Sequence, residues 1–173
     1  MTVVSNSSPL VYLAALSDFE LLPKLFGTIL TPLAVWREVV EQAPGLPVRA
    51  AVEGALGHWM NVVPLTASPS LTTLPRGVLH AGEAEVIQLA REVGANAVLI
   101  DDRIAVEHAR SLGFTVVPTV ALYIRAKHLG LIPSVREKAD QLRRARFRLS
   151  DADYQAVLRA AGELQRPPRS GPP

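Results

Sequence analysis

Asp101 and Asp102 are adjacent carboxylates that follow directly on Val98-Leu99-Ile100. Three apolar residues running into two acids read as a buried strand that delivers negative charge to the rim of a sheet. At about 4 Å apart and an effective dielectric of about 20, two such charges repel by roughly 4 kcal/mol. A chain sustains that on a solvated turn or beside a cation. Three further residues place oxygen donors where they can join the pair. Asn6 ends the apolar Val3-Val4 stretch; its amide oxygen suits a hard cation, and equally a turn that bonds local backbone. Glu83 heads the series Glu83, Ile87, Ala90, in line with the apolar stripe of a helix, whereas Glu85 and Glu92 fall on the side with Gln88 and Arg91. An acid on a sheet-facing stripe calls for neutralisation, while an acid in a first turn also suits the helix dipole; both readings stand. Glu38 lies mid-helix among Val35, Trp36, Val39 and Val40. Acids that one topology gathers at one rim are what a hard-cation site requires, because Mg²⁺ and Mn²⁺ take oxygen ligands.

The elements that must position these residues alternate in type. Val3-Val4 is a short strand; Ser5 to Ser8 then Pro9 give a serine cap and an early proline for a helix to about Leu16. Asp18 caps a helix from about Phe19 to Phe26, closed by Gly27. Thr28 to Leu30 is the second strand, and Thr31-Pro32 repeats the cap-plus-proline device for a helix to about Gln42. A helix over about 48–56 and a short strand at Val62-Val63 follow. Thr66 to Gly77 reads as a surface loop. Beyond it come an amphipathic helix from Gly82 to Val93, the strand Ala97 to Ile100, a helix to about Leu112, and a strand from Phe114 to Val117. Helices from Thr119 to Leu129, from the Ser134 capping box, and from Ser150 to before Gly162 complete the pattern. Strands alternating with helices predict a three-layer α/β/α fold with a parallel sheet, whose ligands bind beyond the C-terminal strand ends.

A chain of 173 residues suits one domain of about 100–200 residues. The expectation is a single domain over 1–163, with a basic helical segment at about 134–163 and a disordered tail at 164–173, where four of the last seven residues are proline. With no cysteine, thiolate metal sites and thiol catalysis are excluded. No basic leader and no apolar run approaching 18 residues is present, so the expectation is a cytoplasmic protein with no membrane partner. The net charge of +2 is unevenly spread: eight basic and two acidic residues between Arg125 and Arg148 leave the remainder acidic. That flank fits a polyanionic partner such as RNA, or a solvated helix face. No Gly-x-Gly-x-x-Gly follows a strand, and the four histidines accompany no nucleophile elbow. A phosphoacceptor receiver-like domain expects its acids early and a lysine after the last strand, whereas here the pair is late and Pro118-Thr119 follows that strand.

Val3-Val4-Ser5-Asn6-Ser7-Ser8-Pro9-Leu10, Gly82-Glu83-Ala84-Glu85 and Leu99-Ile100-Asp101-Asp102-Arg103, in this order, resemble the PIN-domain family. The nearest likeness is to a branch of small prokaryotic PIN-like proteins related to VapC-type toxins. Leu129-Gly130-Leu131-Ile132-Pro133-Ser134 and Phe147-Arg148-Leu149-Ser150 extend the resemblance over about 2–163. It implies strand order 3-2-1-4-5 and a Mg²⁺- or Mn²⁺-dependent ribonuclease of toxin–antitoxin type, often a homodimer and inhibited by a partner antitoxin. It places Asn6 at the first acidic position of the family, Glu38 at the second, Glu83 at the third, and Asp101 or Asp102 at the fourth. Catalytic members usually carry aspartate at the first position, so Asn6 is a departure that removes a charge. The expected metal ligands are therefore Asn6, Glu38, Glu83, Asp101 and Asp102, the four acids being also catalytic. RNA contacts are expected from Ser7, Ser8, Arg103, Arg136, Arg143, Arg144 and Arg146. The competing expectation is a decayed nucleic-acid- or partner-binding module.

Overall fold

Val3, Val4, Ile29, Ala97, Val98 and Leu99 have no exposed surface, as strands covered by helices on both faces require. They form the centre of a five-stranded, all-parallel sheet in the computed structural model, which describes residues 1–43, 45–67 and 80–164. Its strands are β1 (Val3–Ser5), β2 (Ile29–Pro32), β3 (Met60–Val63), β4 (Ala97–Leu99) and β5 (Thr115–Val116), in the order β3-β2-β1-β4-β5. The expected three-layer α/β/α fold and strand order 3-2-1-4-5 are thus observed. Pairing aligns Ser5 with Leu99, and the Asn6 amide extends the ladder by donating to the Leu99 carbonyl at 2.9 Å. β1 and β4 flank the point where strand order reverses, and Asn6 and the Asp101-Asp102 pair leave the sheet there side by side.

The helices in order are α1 (Ser7–Ala15), α2 (Leu21–Phe26), α3 (Leu33–Trp36), α4 (Pro47–Ala55), α5 (Ala81–Glu92), α6 (Arg103–Ser111), α7 (Thr119–His128), α8 (Val135–Arg144) and α9 (Asp151–Ala160). α1 starts two residues before Pro9; proline in the first turn removes an amide that has no helical partner anyway. Thr31 and Pro32 belong to β2, paired with Val62 and Val63, so the helix expected to be capped by Thr31 begins only at Leu33. α3 then runs into a π-helical turn, Arg37–Glu41, in which the Gln42 amide reaches back five residues to the Arg37 carbonyl at 2.9 Å. Such turns change which side chains face the sheet. Among the described residues no helix is long and apolar enough to cross a membrane.

The chain packs as two compact units, Met1–Thr119 and the part from Val120 on. In the second, Ser134 and Ser150 accept bonds from the Glu137 and Asp153 amides and cap α8 and α9. Glu163 follows α9 and joins it to α7 and to the start of α8. Its carboxylate accepts from the Lys127 ammonium at 2.6 Å, from the Val135 and Arg136 amides at 2.6 and 2.8 Å, and from the Ser134 hydroxyl at 3.1 Å. Burial pushes this carboxyl up, but Lys127 and the α8 amides outweigh it and hold it down at about 2. The loop expected from Thr66 to Gly77 lies outside the described residues from position 68 on, as does the expected tail from 165.

Candidate functional site

The rim beyond β1 and β4 collects oxygens from four elements of the first unit. Asn6 is the residue before α1 and is only 5% exposed. Its side chain does not cap α1, and its Oδ1 is enclosed without a hydrogen-bond partner. A buried amide oxygen left unpaired carries a desolvation cost of about 1–3 kcal/mol, which a ligand at that atom removes. Glu38, in the π-helical turn, faces it across Gly82 of α5. A Cβ at position 82 would lie 3.4 Å from Asn6 Oδ1, 3.6 Å from Glu38 Oε2 and 3.8 Å from Val35 Cγ2. Glycine therefore keeps a methyl-sized space open between an amide oxygen and a carboxylate.

Glu83, the next residue of α5, is 8% exposed. One of its oxygens accepts from the His80 amide at 2.7 Å, half of a capping box at the start of α5. Burial raises its carboxyl pKa; the His80 bond opposes that, and the nearby Asp102 and Glu38 charges add to the rise. Glu83 thus feels the charges of both Asp102 and Glu38. The positive charge of His80 also opposes the rise.

The paired aspartates diverge. Asp101 points to Thr119, accepting from its amide at 2.7 Å and its hydroxyl at 2.6 Å. Burial pushes its carboxyl up against the pull of those two bonds. Both of its oxygens are thus engaged in holding a fully buried threonine. Asp102 caps α6: one oxygen accepts from the Ile104 and Ala105 amides at 2.9 and 3.0 Å, and the residue is exposed. The two carboxylates are held by different partners, Thr119 for Asp101 and the first amides of α6 for Asp102.

The other expected positions are scattered. Ser7 is buried in the first turn of α1, and Ser8 is half-buried beside it. Arg103 is 88% exposed and pairs with Glu107 at 3.6 Å. In the second unit Arg136 donates to the Glu163 carbonyl at 2.7 Å. Arg143 donates to the Leu149 carbonyl and to Asp151, and its guanidinium stands 4.2 Å over the Tyr154 ring. These two are occupied in packing that unit, whereas Arg144 and Arg146 are exposed. Gly82 and Glu85 escaped the reading of the sequence. Glu85, assigned to the polar side of α5, instead accepts from the Ala34 amide of α3 at 3.1 Å.

The donors present fit a hard divalent cation: all are oxygens, one is a buried amide oxygen without a partner, and a glycine leaves room beside it. Among the described residues, no three histidines or acids already stand close enough together to hold a metal ion. The neutral Asn6 oxygen is therefore part of the case.

Comparison with known proteins agrees with the topology. No curated protein matches the sequence. Among solved structures, the chain is similar to a PilT N-terminus domain protein from the hyperthermophilic archaeon Sulfolobus solfataricus P2, with a TM-score of 0.53 and 20% identity over 70% of this chain and 90% of that one; a likeness of that degree carries the fold. A family model described as a PIN domain matches residues 2–163, which takes in Asn6, Glu38, Glu83 and both aspartates. The chain belongs to the PIN-domain family, whose members are typically nucleases that use divalent metals.

Proposed function

We propose that this protein is a Mg²⁺- or Mn²⁺-dependent endonuclease of single-stranded RNA, of toxin–antitoxin type and acting in the cytoplasm. The observation that carries the reading is the unpartnered Asn6 oxygen, set across Gly82 from Glu38 beside a Glu83 whose carboxyl is raised by burial and neighbouring acids. Asn6, Glu38, Glu83 and Asp102 are the residues that would hold the cation. When bound, such a cation polarises a phosphodiester and lowers the pKa of a water. Glu83 presents a carboxylate fixed through one oxygen by the His80 amide, and Glu38 and Asp102 would have to move towards it to share one ion. Asp102 is fixed through one oxygen by the α6 amides. Asp101 is assigned to positioning, since both its oxygens already hold Thr119. Arg144, Arg146 and Arg148, exposed in the second unit, suit phosphate contacts that depend on salt rather than on base identity. A partner antitoxin and a homodimer belong to this reading.

The test is cleavage of single-stranded RNA in Mn²⁺ by wild type, Glu83→Gln and Asp102→Asn. Metal-dependent cleavage by wild type, lost in both variants, is the expected result. Equal cleavage by all three overturns it. The neutral side chain of Asn6 supports a second reading, a PIN-like module that binds nucleic acid or a partner without turnover. In that case RNA is bound and left intact, and no saturable uptake of Mn²⁺ is measured.

A further inference from the structure

We infer that Glu85 is a positioning residue: its carboxylate fastens the helix carrying Glu38 to the helix carrying Glu83, and so sets the gap between Asn6 and Glu38. The inference rests on the cation site proposed above. α3 has no cap of its own. Its N-cap is Pro32, with no side-chain bond. Thr31, the expected cap, turns its hydroxyl to the Ser5 carbonyl at 3.1 Å. A short helix with unpaired first amides frays unless another group accepts from them, and Glu85 supplies that group from α5 by taking the Ala34 amide at 3.1 Å. The favourable sense of a carboxylate at a helix N-terminus strengthens the tie.

Ala34 and Glu38 are four residues apart, so the anchored amide lies about one turn from the acid. The π-helical turn that carries Glu38 begins at Arg37, between the two. On the facing helix, Gly82, Glu83 and Glu85 fall within little more than one turn. Gly82 packs beside α3, with Val35 Cγ2 at an ordinary contact distance, 3.8 Å, from where its Cβ would be. Glu83 takes the His80 amide of its own helix start, and Glu85 takes the Ala34 amide of α3. One motif, Gly82-Glu83-Ala84-Glu85, thereby gives its two acids different tasks.

Three variants separate positioning from charge. Glu85→Ala removes the acceptor, Glu85→Gln keeps an acceptor oxygen without the charge, and Glu85→Asp keeps the charge but shortens the reach. In metal-free protein, the NMR resonances of the Asn6 side-chain amide and the hydrogen exchange of the Ala34 amide are measured, followed by calorimetric titration with Mn²⁺. Glu85→Ala and Glu85→Asp are expected to shift the Asn6 resonances, speed Ala34 exchange, and weaken Mn²⁺ binding by about tenfold, the scale seen for residues one step removed from a metal. Glu85→Gln restores all three towards wild type. Unchanged Asn6 resonances and Mn²⁺ affinity in Glu85→Ala overturn the inference, as does a Glu85→Gln protein as impaired as Glu85→Ala. If wild type takes up no Mn²⁺, the proposed cation site fails, and the metal-free resonances still decide whether Glu85 positions the rim.

Discussion

Glu83 and Glu163 are both glutamates with little exposed surface, and their surroundings are opposite. Glu163 meets an ammonium, two helix amides and a hydroxyl, and its carboxyl is held at about 2. Glu83 meets one amide and two other acids, and its carboxyl is raised. A buried carboxylate whose every neighbour stabilises its charge is part of the framework of its unit. One placed beside like charges, with burial outweighing the His80 amide and the His80 charge that oppose it, is costly to the fold and is retained for what it binds. Asp101 and Asp102 repeat the contrast at adjacent positions: Asp101 is closed around Thr119, and Asp102 has one oxygen beyond its capping bonds.

The largest effect expected from this contrast is at Glu163. Glu163→Ala leaves Lys127 and the first amides of α8 without their acceptor, and should cost about 3 kcal/mol of unfolding free energy, read by denaturant titration. Because the folded value lies below the ordinary 4.5, the Glu163 contribution is complete above that value and disappears as pH falls from about 4.5 towards 2. A stability curve flat through that window in wild type would count against the assignment. Next comes the aspartate pair. Asp101→Ala strands the buried Thr119 amide and hydroxyl and should cost about 2 kcal/mol. Asp102→Asn keeps a good N-cap for α6 and should cost no more than a few tenths of a kcal/mol, while weakening Mn²⁺ binding. Reversal of that order would break the division of labour between the two.

Glu83→Gln is smaller and opposite in sign. Glutamine still accepts from His80 and carries no charge, so metal-free protein should gain about 1 kcal/mol. The folded value of Glu83 lies above 4.5, so its wild-type penalty is absent at low pH and grows as pH rises through the raised value; the gain should follow the same course. Loss of stability at neutral pH would place Glu83 with Glu163 as a framework residue. Arg103→Ala removes an exposed pair with Glu107 and should change stability by under about 0.5 kcal/mol, as little as Asp102→Asn.

Much of this was legible in the residues. The run Val98-Leu99-Ile100 before the two aspartates, and the glutamate on the apolar stripe of α5, marked the sheet rim. What escaped depends on distant partners. Thr31-Pro32 has the local chemistry of a helix start, but pairing with Val62 and Val63 on β3 keeps both residues in the strand. Glu85 reads as solvent-facing on an isolated helix, and only the packing of α3 brings it an amide from 51 positions away. The π-helical turn at Glu38 has no signature in the spacing of Val35, Val39 and Val40. Glu163 follows a helix end and draws its partners from 27 to 36 positions back, so nothing local marks it.

Calorimetric titration of Mn²⁺ into wild type, Glu83→Gln and Asp102→Asn at neutral pH tests the central claim most directly. Saturable binding in wild type that is abolished or greatly weakened in both variants is the predicted result. No saturable binding in wild type, or the same affinity in all three proteins, would contradict a cation site formed by Asn6, Glu38, Glu83 and Asp102.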